Sequence, residues 1–268
     1  MSSEKTNQRR EALKEVFAQA QVCVRCQELA ATRKKVVFGA GNADAELMFV
    51  GEAPGASEDE QGLPFVGRAG KLLETLLKEI GLERKDVFIA NVLKCRPPGN
   101  RDPLPVEIEN CREYLYRQVE LIQPRVICSL GNFSTKLLRE DPTGITRLHG
   151  KPEELTLGRR TVRLYPIFHP AAALYTPRML ETLREDFSRL PDLLALAELP
   201  QPSDELEDPR ALGFVRSHAE GSEGSALKPP RAAGEEVDQS VPSRPIAGQD
   251  EISALDSSQL LADQLDLF

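Results

Sequence analysis

Ala45-Glu46-Leu47-Met48-Phe49-Val50 runs straight into Gly51-Glu52-Ala53-Pro54-Gly55. A short apolar run closed by glycine and proline reads as a buried strand that ends in a turn. Three later segments repeat the pattern: Val87 to Val92, Arg125 to Leu130 and Thr161 to Phe168. Helical spacing lies between them. Arg68 to Ile80 puts Leu72, Leu73, Leu76, Leu77 and Ile80 on one face, with Gly81 as a C-terminal cap. Pro105 to Ile122 begins with proline near its first turn. Phe133 to Arg139 reads as a short helix and Pro177 to Leu196 as a closing one. Strands alternating with helices specify an α/β fold with a doubly wound, four-stranded parallel sheet. All four carboxyl ends of such a sheet point the same way. Gly51 to Gly55, Asn91, Gly131-Asn132 and His169-Pro170 therefore converge on one crevice, where open α/β sheets place their ligands.

Upstream, Glu4 to Gln21 reads as an amphipathic helix with Leu13, Val16, Phe17 and Ala20 on one face. It delivers Cys23 and Cys26. Cys95 follows the second strand, and Cys111 lies on the helix after it. Two close cysteines and two distant ones suit a single four-thiolate site. Such a set takes either structural zinc or a 4Fe-4S cluster, and spacing alone does not separate them. Disulfides are the weakest reading where thiols stay reduced. Cys128 sits inside the third strand among apolar neighbours and reads as a core thiol.

Charge is unevenly spread over the 268 residues. Residues 201–268 carry 14 acidic and 5 basic side chains, a net of −9 against −8 for the whole chain. Residues 1–200 are left nearly neutral, which does not argue against a nucleic-acid partner, because a local basic face is still available. No apolar run follows the opening charges and none approaches a membrane span. A cytoplasmic protein with no membrane partner is expected, and nothing suggests an obligate dimer, so a monomer is expected too. Residues 1–200 form one domain on this reading. Residues 201–268, rich in Pro, Gly, Ser and Glu, form an acidic tail that cannot bury enough apolar area to order itself and is expected to be disordered.

A second glycine-rich stretch, Gly62-Leu63-Pro64-Phe65-Val66-Gly67-Arg68-Ala69-Gly70, opens the helix at Arg68. The amides there suit a phosphate. The stretch does not read as a nucleotide P-loop, because no Gly-Lys-Ser/Thr follows at the required spacing. Phe65 reads either as packing or as a stacking surface for a base.

Together these stretches resemble the family 4 uracil-DNA glycosylases. Gly51-Glu52-Ala53-Pro54-Gly55, Pro64-Phe65-Val66-Gly67-Arg68-Ala69-Gly70, Asn91-Val92-Leu93-Lys94-Cys95-Arg96-Pro97-Pro98 and His169-Pro170-Ala171-Ala172 match that family's pattern in order, and so does the cysteine spacing. The resemblance runs from about Cys23 to Leu196. It implies a three-layer α/β/α sandwich, removal of uracil from DNA to leave an abasic site, and a 4Fe-4S cluster on Cys23, Cys26, Cys95 and Cys111. It also implies that Phe65 stacks on the extruded uracil, Asn91 reads its edge and His169 lies by the oxygen that gains charge. Gly51, Ala53 and Gly55 would shape the pocket. Glu52 is the candidate for positioning water or ribose. Glu58 is the candidate for crowding the uracil C5 position, with Asp59 a third acidic candidate. Other branches of the superfamily carry Asp where this chain has Ala53, and a bulky aromatic opposite Gly55. Leu174 or Tyr175 would serve as the wedge that opens the duplex. Arg68 and Arg178 would meet DNA, and Lys94, Arg96, Arg101, Arg33, Lys34 and Lys35 are further phosphate candidates.

The residues speak against two other readings. A non-catalytic DNA-binding scaffold would not need Phe65, Asn91 and His169 at once. The covalent-trapping branch carries a basic insertion after the position of Asn91, which here runs directly to Cys95. The chain closes on Gln264-Leu265-Asp266-Leu267-Phe268. This pentapeptide looks like the motif by which bacterial proteins bind the replication sliding clamp; the alternative is a terminal helix packed on the core.

Overall fold

A computed structural model describes residues 2–202 of the chain. The tail expected over residues 201–268 lies outside the described residues from residue 203 onward, and Gln264 to Phe268 with it.

Strands β2 (Leu47–Gly51), β3 (Phe88–Asn91), β4 (Val126–Leu130) and β6 (Arg160–Ile167) pair in parallel in the order β3-β2-β4-β6. These are the four segments that the apolar runs specify. The sheet itself has six strands rather than four. β1 (Ala40–Gly41) pairs antiparallel with β3 at one edge, and β5 (Glu153–Leu157) pairs antiparallel with β6 at the other. β5 and β6 form a hairpin across Gly158, whose φ of +59° suits a tight turn that glycine tolerates without strain. After β3 the chain crosses back over β2 to reach β4. That reversal puts a topological switch point beside the carboxyl end of β2.

Helices cover both faces, giving three layers, with the shorter α2 (Gln27–Thr32), α3 (Ala56–Gln61), α6 (Gly131–Arg139) and α7 (Ile145–Leu148) in the connections. Side chains alternate along each strand, so Met48, Val50, Phe88, Ala90 and Ile127 face one layer, while Leu47, Phe49, Ile89, Val126 and Cys128 face the other. Against the first face lie α1 (Ser2–Gln21), through Leu13, Val16, Phe17 and Ala20, and α5 (Pro105–Ile122), through Leu115, Val119 and Ile122. Against the second lie α4 (Arg68–Glu79), through Leu73, Leu76 and Leu77, and α9 (Pro177–Ser188), through Leu183 and Phe187. The expected helix from Pro177 to Leu196 is broken at Arg189, and α10 (Leu190–Ala195) follows. Pro191 is the cause, since it has no N–H to continue the ladder and its ring crowds the preceding turn.

The chain stays anchored to the first residues of β6 just past Pro200. Gln201 exchanges hydrogen bonds with the backbone of Thr161, 3.0 Å in each direction. Among the described residues no helix is long and apolar enough to cross a membrane.

Candidate active site

The ladder between β2 and β3 runs past the sheet. Gly51 pairs with Asn91, and the amides of Val92 and Leu93 then donate to the carbonyls of Gly51 and Glu52, each at 3.0 Å. Two strand ends therefore enter the crevice locked together. Gly51 lacks a side chain for a packing reason. A Cβ there would lie 2.4 Å from Asn91 Oδ1 and 2.9 Å from the Phe65 ring. At the end of β4, Gly131 adopts φ +89° and leaves room for His169, whose Cβ would be 2.9 Å from an added methyl. The third strand thus contributes space. Its Asn132 turns away to accept from the Ile145 amide at 3.1 Å.

Glu52, Ala53, Gly55, Glu58, Phe65, Asn91 and His169 line one cavity of about 380 Å³. Gly51 lies beneath it rather than in its wall. The side chain of Asn91 is only 2 % exposed. Among the described residues its carboxamide has no protein hydrogen-bond partner, so it is offered to the cavity. The Phe65 ring lies 5.6 Å from the His169 ring, with 29° between the planes.

His169 sits at the end of β6, where it caps α8 (Pro170–Ala173) by accepting from the Ala171 amide at Nδ1, 3.1 Å away. An acceptor at Nδ1 places the proton of the neutral ring on Nε2. Burial holds the imidazole down at about 4, with Glu58 opposing that shift. The ring is therefore a neutral donor at neutral pH. The Glu52 carboxyl is held above its ordinary range, first by burial and then by the nearby Asp102.

The acidic candidates divide. Glu58 lines the cavity, but its Oε1 accepts from the Val66 and Gly67 amides, both at 3.0 Å. Those amides at the start of α4, which the glycine pattern offered to a phosphate, are taken by an internal carboxylate. Its Oε2 lies 2.8 Å from where a Cβ on Gly55 would be, so Glu58 fills the space opposite Gly55. Asp59 faces the other way. It is 2 % exposed and accepts from the Lys34 amide at 2.9 Å.

Several basic residues are committed elsewhere. Lys94 is buried, and its ammonium donates to the Asn91 carbonyl at 2.8 Å and to Gln118 at 2.6 Å. Arg101 grips the buried Glu107 through both nitrogens, at 2.9 and 2.6 Å, and Glu28 at 2.8 Å. Arg33 donates to the Cys95 sulfur, and Lys34 pairs with Glu60. None of these four is a free phosphate contact. Arg96 donates to Asn100 at 2.7 Å. Arg68 lies over the Tyr175 ring, 5.3 Å from its centroid, and donates to the Tyr175 hydroxyl at 3.2 Å. Tyr175 is 77 % exposed, Leu174 half-buried, and Arg178 exposed in the first turn of α9. Pro97, Asn100 and Arg101 form a cavity wall that sequence reading missed. The turn-forming Pro97-Pro98-Gly99-Asn100 stretch was the available signal.

Cys23, Cys26, Cys95 and Cys111 all line a second, smaller cavity between α1, the 93–95 segment and α5. Among the described residues no set of side chains is already drawn together as a metal site. Three of the thiols nonetheless receive N–H donors: Cys95 from Arg33 at 3.2 Å, Cys111 from the Lys94 amide at 3.3 Å and Cys26 from Asn110 at 3.5 Å. Cys128 is buried away from them in β4, and burial pushes its thiol far up.

Residues 38–191 match the family model of the uracil DNA glycosylase superfamily. The chain belongs to this superfamily. Within it, the chain is 46 % identical over 187 residues to a type-4 uracil-DNA glycosylase of Archaeoglobus fulgidus, covering 68 % of this chain and 94 % of that protein. It is 45 % identical over 188 residues to the type-4 enzyme of Sulfurisphaera tokodaii, covering 68 % and 85 %. Over 178 residues it is 47 % identical to that of Saccharolobus solfataricus, covering 65 % and 82 %. The glycosylase fold and the type-4 resemblance carried by the motifs are borne out. The matched residues reach from Phe38, just before β1, through the whole sheet to α10.

Proposed function

We propose that this chain is a monofunctional uracil-DNA glycosylase. It takes a flipped uracil into the 380 Å³ cavity and hydrolyses its N-glycosidic bond, leaving an abasic site. The observation that carries this reading is the meeting of an aromatic ring, an unpaired carboxamide and a neutral imidazole donor in one cavity. Phe65 offers its face for stacking, which contributes ~1–3 kcal/mol per base. Asn91 offers a donor and an acceptor to the uracil edge. Cytosine presents the opposite pattern, and each buried group left unpaired costs ~1–3 kcal/mol. His169 donates from Nε2 to the uracil oxygen that gains charge as the bond breaks. A single preorganised donor of this kind contributes on the order of 10²–10³ in rate. Ala53 offers no carboxylate to the attacking water. Glu52, half-buried and with no protein hydrogen bond to its carboxylate among the described residues, is the group available to hold that water or to face the sugar cation.

Extrusion of the base costs a few kcal/mol. Leu174, with Tyr175 beside it, is the wedge in this reading, and Arg68 and Arg178 face the backbone of the DNA. The four cysteines fit a 4Fe-4S cluster as its ligands. They share one cavity, and the N–H donors to their sulfurs suit thiolates that bear charge. When bound, the cluster supplies a four-point cross-link between the N-terminal segment, the 93–95 segment and α5. The terminal Gln264 to Phe268 is read as the anchor for a bacterial sliding clamp, with the preceding acidic segment setting its reach. The protein acts as a cytoplasmic monomer on this reading.

The test is end-labelled DNA with uracil or thymine at one position, followed by alkali. Breaks at uracil alone are expected. His169→Ala and Asn91→Ala should still fold cooperatively and lose at least ~100-fold in excision. Wild-type rates in both variants overturn the reading.

A further inference from the structure

The loop that presents Phe65 is gripped from two sides by side chains of opposite charge. Arg84 lies in the single 3-10 turn Arg84–Asp86 ahead of β3. It donates from Nη1 to the Phe65 carbonyl at 3.1 Å and from Nη2 to the Pro64 carbonyl. Its ion pair with Glu74 on α4 is longer, at 3.4 Å. From the opposite side Glu58 accepts from the next two amides, those of Val66 and Gly67. Main-chain groups of four consecutive residues are thus held by two side chains from outside the loop.

Between the two grips Phe65 has φ +53°. A bulky aromatic rarely adopts this left-handed backbone, and it persists only where its surroundings over-determine it. Gly70 lets the loop lie directly on α4, because a Cβ there would fall 1.7 Å from the Phe65 carbonyl oxygen. The outcome is a Phe65 ring set in the cavity wall near His169. Arg84 is not part of that wall.

We propose that Arg84 is a positioning residue for base binding, one that holds the Pro64 and Phe65 carbonyls so that the left-handed turn aims the Phe65 ring at the bound base. The inference rests on the reading of Phe65 as the stacking platform. A planar guanidinium serves two adjacent carbonyls at once, whereas a lysine ammonium is a compact point donor without that fork.

Arg84→Met keeps the stem and removes the donors, and Arg84→Lys restores the charge without the fork. Inhibition by free uracil reads the platform. Affinity for duplex DNA carrying a tetrahydrofuran abasic analogue reads the rest of the DNA site. In Arg84→Met, free uracil should inhibit about 10-fold more weakly, with affinity for abasic-analogue DNA unchanged. Arg84→Lys should recover only part of the loss. Phe65→Ala should cost much less in the Arg84→Met background than in the wild type. Additive losses, or an equal loss of abasic-DNA affinity, overturn the proposal. So does a wild-type response of Arg84→Met when Phe65→Ala alone is impaired. If Phe65→Ala itself behaves as wild type, the platform reading falls and takes this proposal with it. Should Arg84→Met not fold, Arg84→Lys carries the same comparison.

Discussion

The Ala171 amide donates to His169 Nδ1 at 3.1 Å, and this one bond decides which face of the imidazole is a donor. Burial then keeps the ring neutral by holding it at about 4 rather than 6.5. A folded-state value below the unfolded one means that the unfolded chain takes up its proton first as pH falls. The stability linked to His169 is therefore present above pH 6.5 and lost on the way down to about 4. Measured against His169→Asn, the wild-type melting temperature should drop across that window and level off below it. Parallel curves for the two proteins would show that the ring is not held neutral by the fold.

Gly51 separates the Asn91 carboxamide from the Phe65 ring with nothing but backbone. In Gly51→Ala the new methyl must displace Asn91 or Phe65. Overpacking of this kind costs about 1–3 kcal/mol of stability. Excision should fall further than melting implies, because the displaced groups are those proposed to hold the base. Steady-state excision at wild-type kcat/KM would show that the contact relaxes freely.

Arg101 and Arg178 make opposite predictions for DNA binding. Arg101 is consumed by Glu107 and Glu28, so Arg101→Ala should lower the melting temperature and leave the salt dependence of DNA affinity unaltered. Arg178 stands exposed at the start of α9, and Arg178→Ala should reduce the slope of log affinity against log salt by about 1. Titration of labelled DNA at several salt concentrations separates the two, and a reduced slope for Arg101→Ala would reverse the assignment.

The cysteines sort into four and one. Cys95→Ser should lose iron and visible absorbance and melt at lower temperature, whereas Cys128→Ser should retain its iron, since Cys128 lies in β4 apart from the shared cavity. Metal analysis of the purified proteins decides it. Zinc without iron in the wild type would replace the cluster with a structural zinc site.

Removing Gln264 to Phe268 should abolish binding to the sliding clamp and leave excision from short oligonucleotides unchanged. Surface-plasmon measurement on immobilised clamp gives the first value and the alkali assay the second. Clamp binding that survives the deletion rules the motif out.

The strand ends were legible because each apolar run stops at a residue that announces a turn, as at Gly51 and Pro170. The edge strands were not. Ala40–Gly41 is two residues long with glycine, and Glu153–Leu157 hides its alternation behind charge and threonine. At the site, the strand ends placed Asn91 and His169 and the glycine-rich stretch offered Phe65, while the roles given to them came from the family resemblance. Residue type misled at Lys94, Arg101 and Asp59. A charged residue beside a cysteine or in a loop looks solvated in one dimension. Whether it is buried, as Lys94 is, or paired at the surface, as Arg101 is, depends on partners such as Gln118 or Glu107, whose proximity only the fold creates. Arg84 was invisible for the same reason: what it holds is backbone, which has no letter in the sequence.

The hydrogen bonds through Val92 and Leu93 carry the β2–β3 pairing beyond the sheet and to within two residues of Cys95. The thiol-lined pocket and the mouth that would receive a nucleobase are thus separate rooms sharing one beam. On the proposed reading, loss of a cysteine is not mechanically insulated from the base-binding cavity, and a variant that loses excision calls for a check of its metal content first.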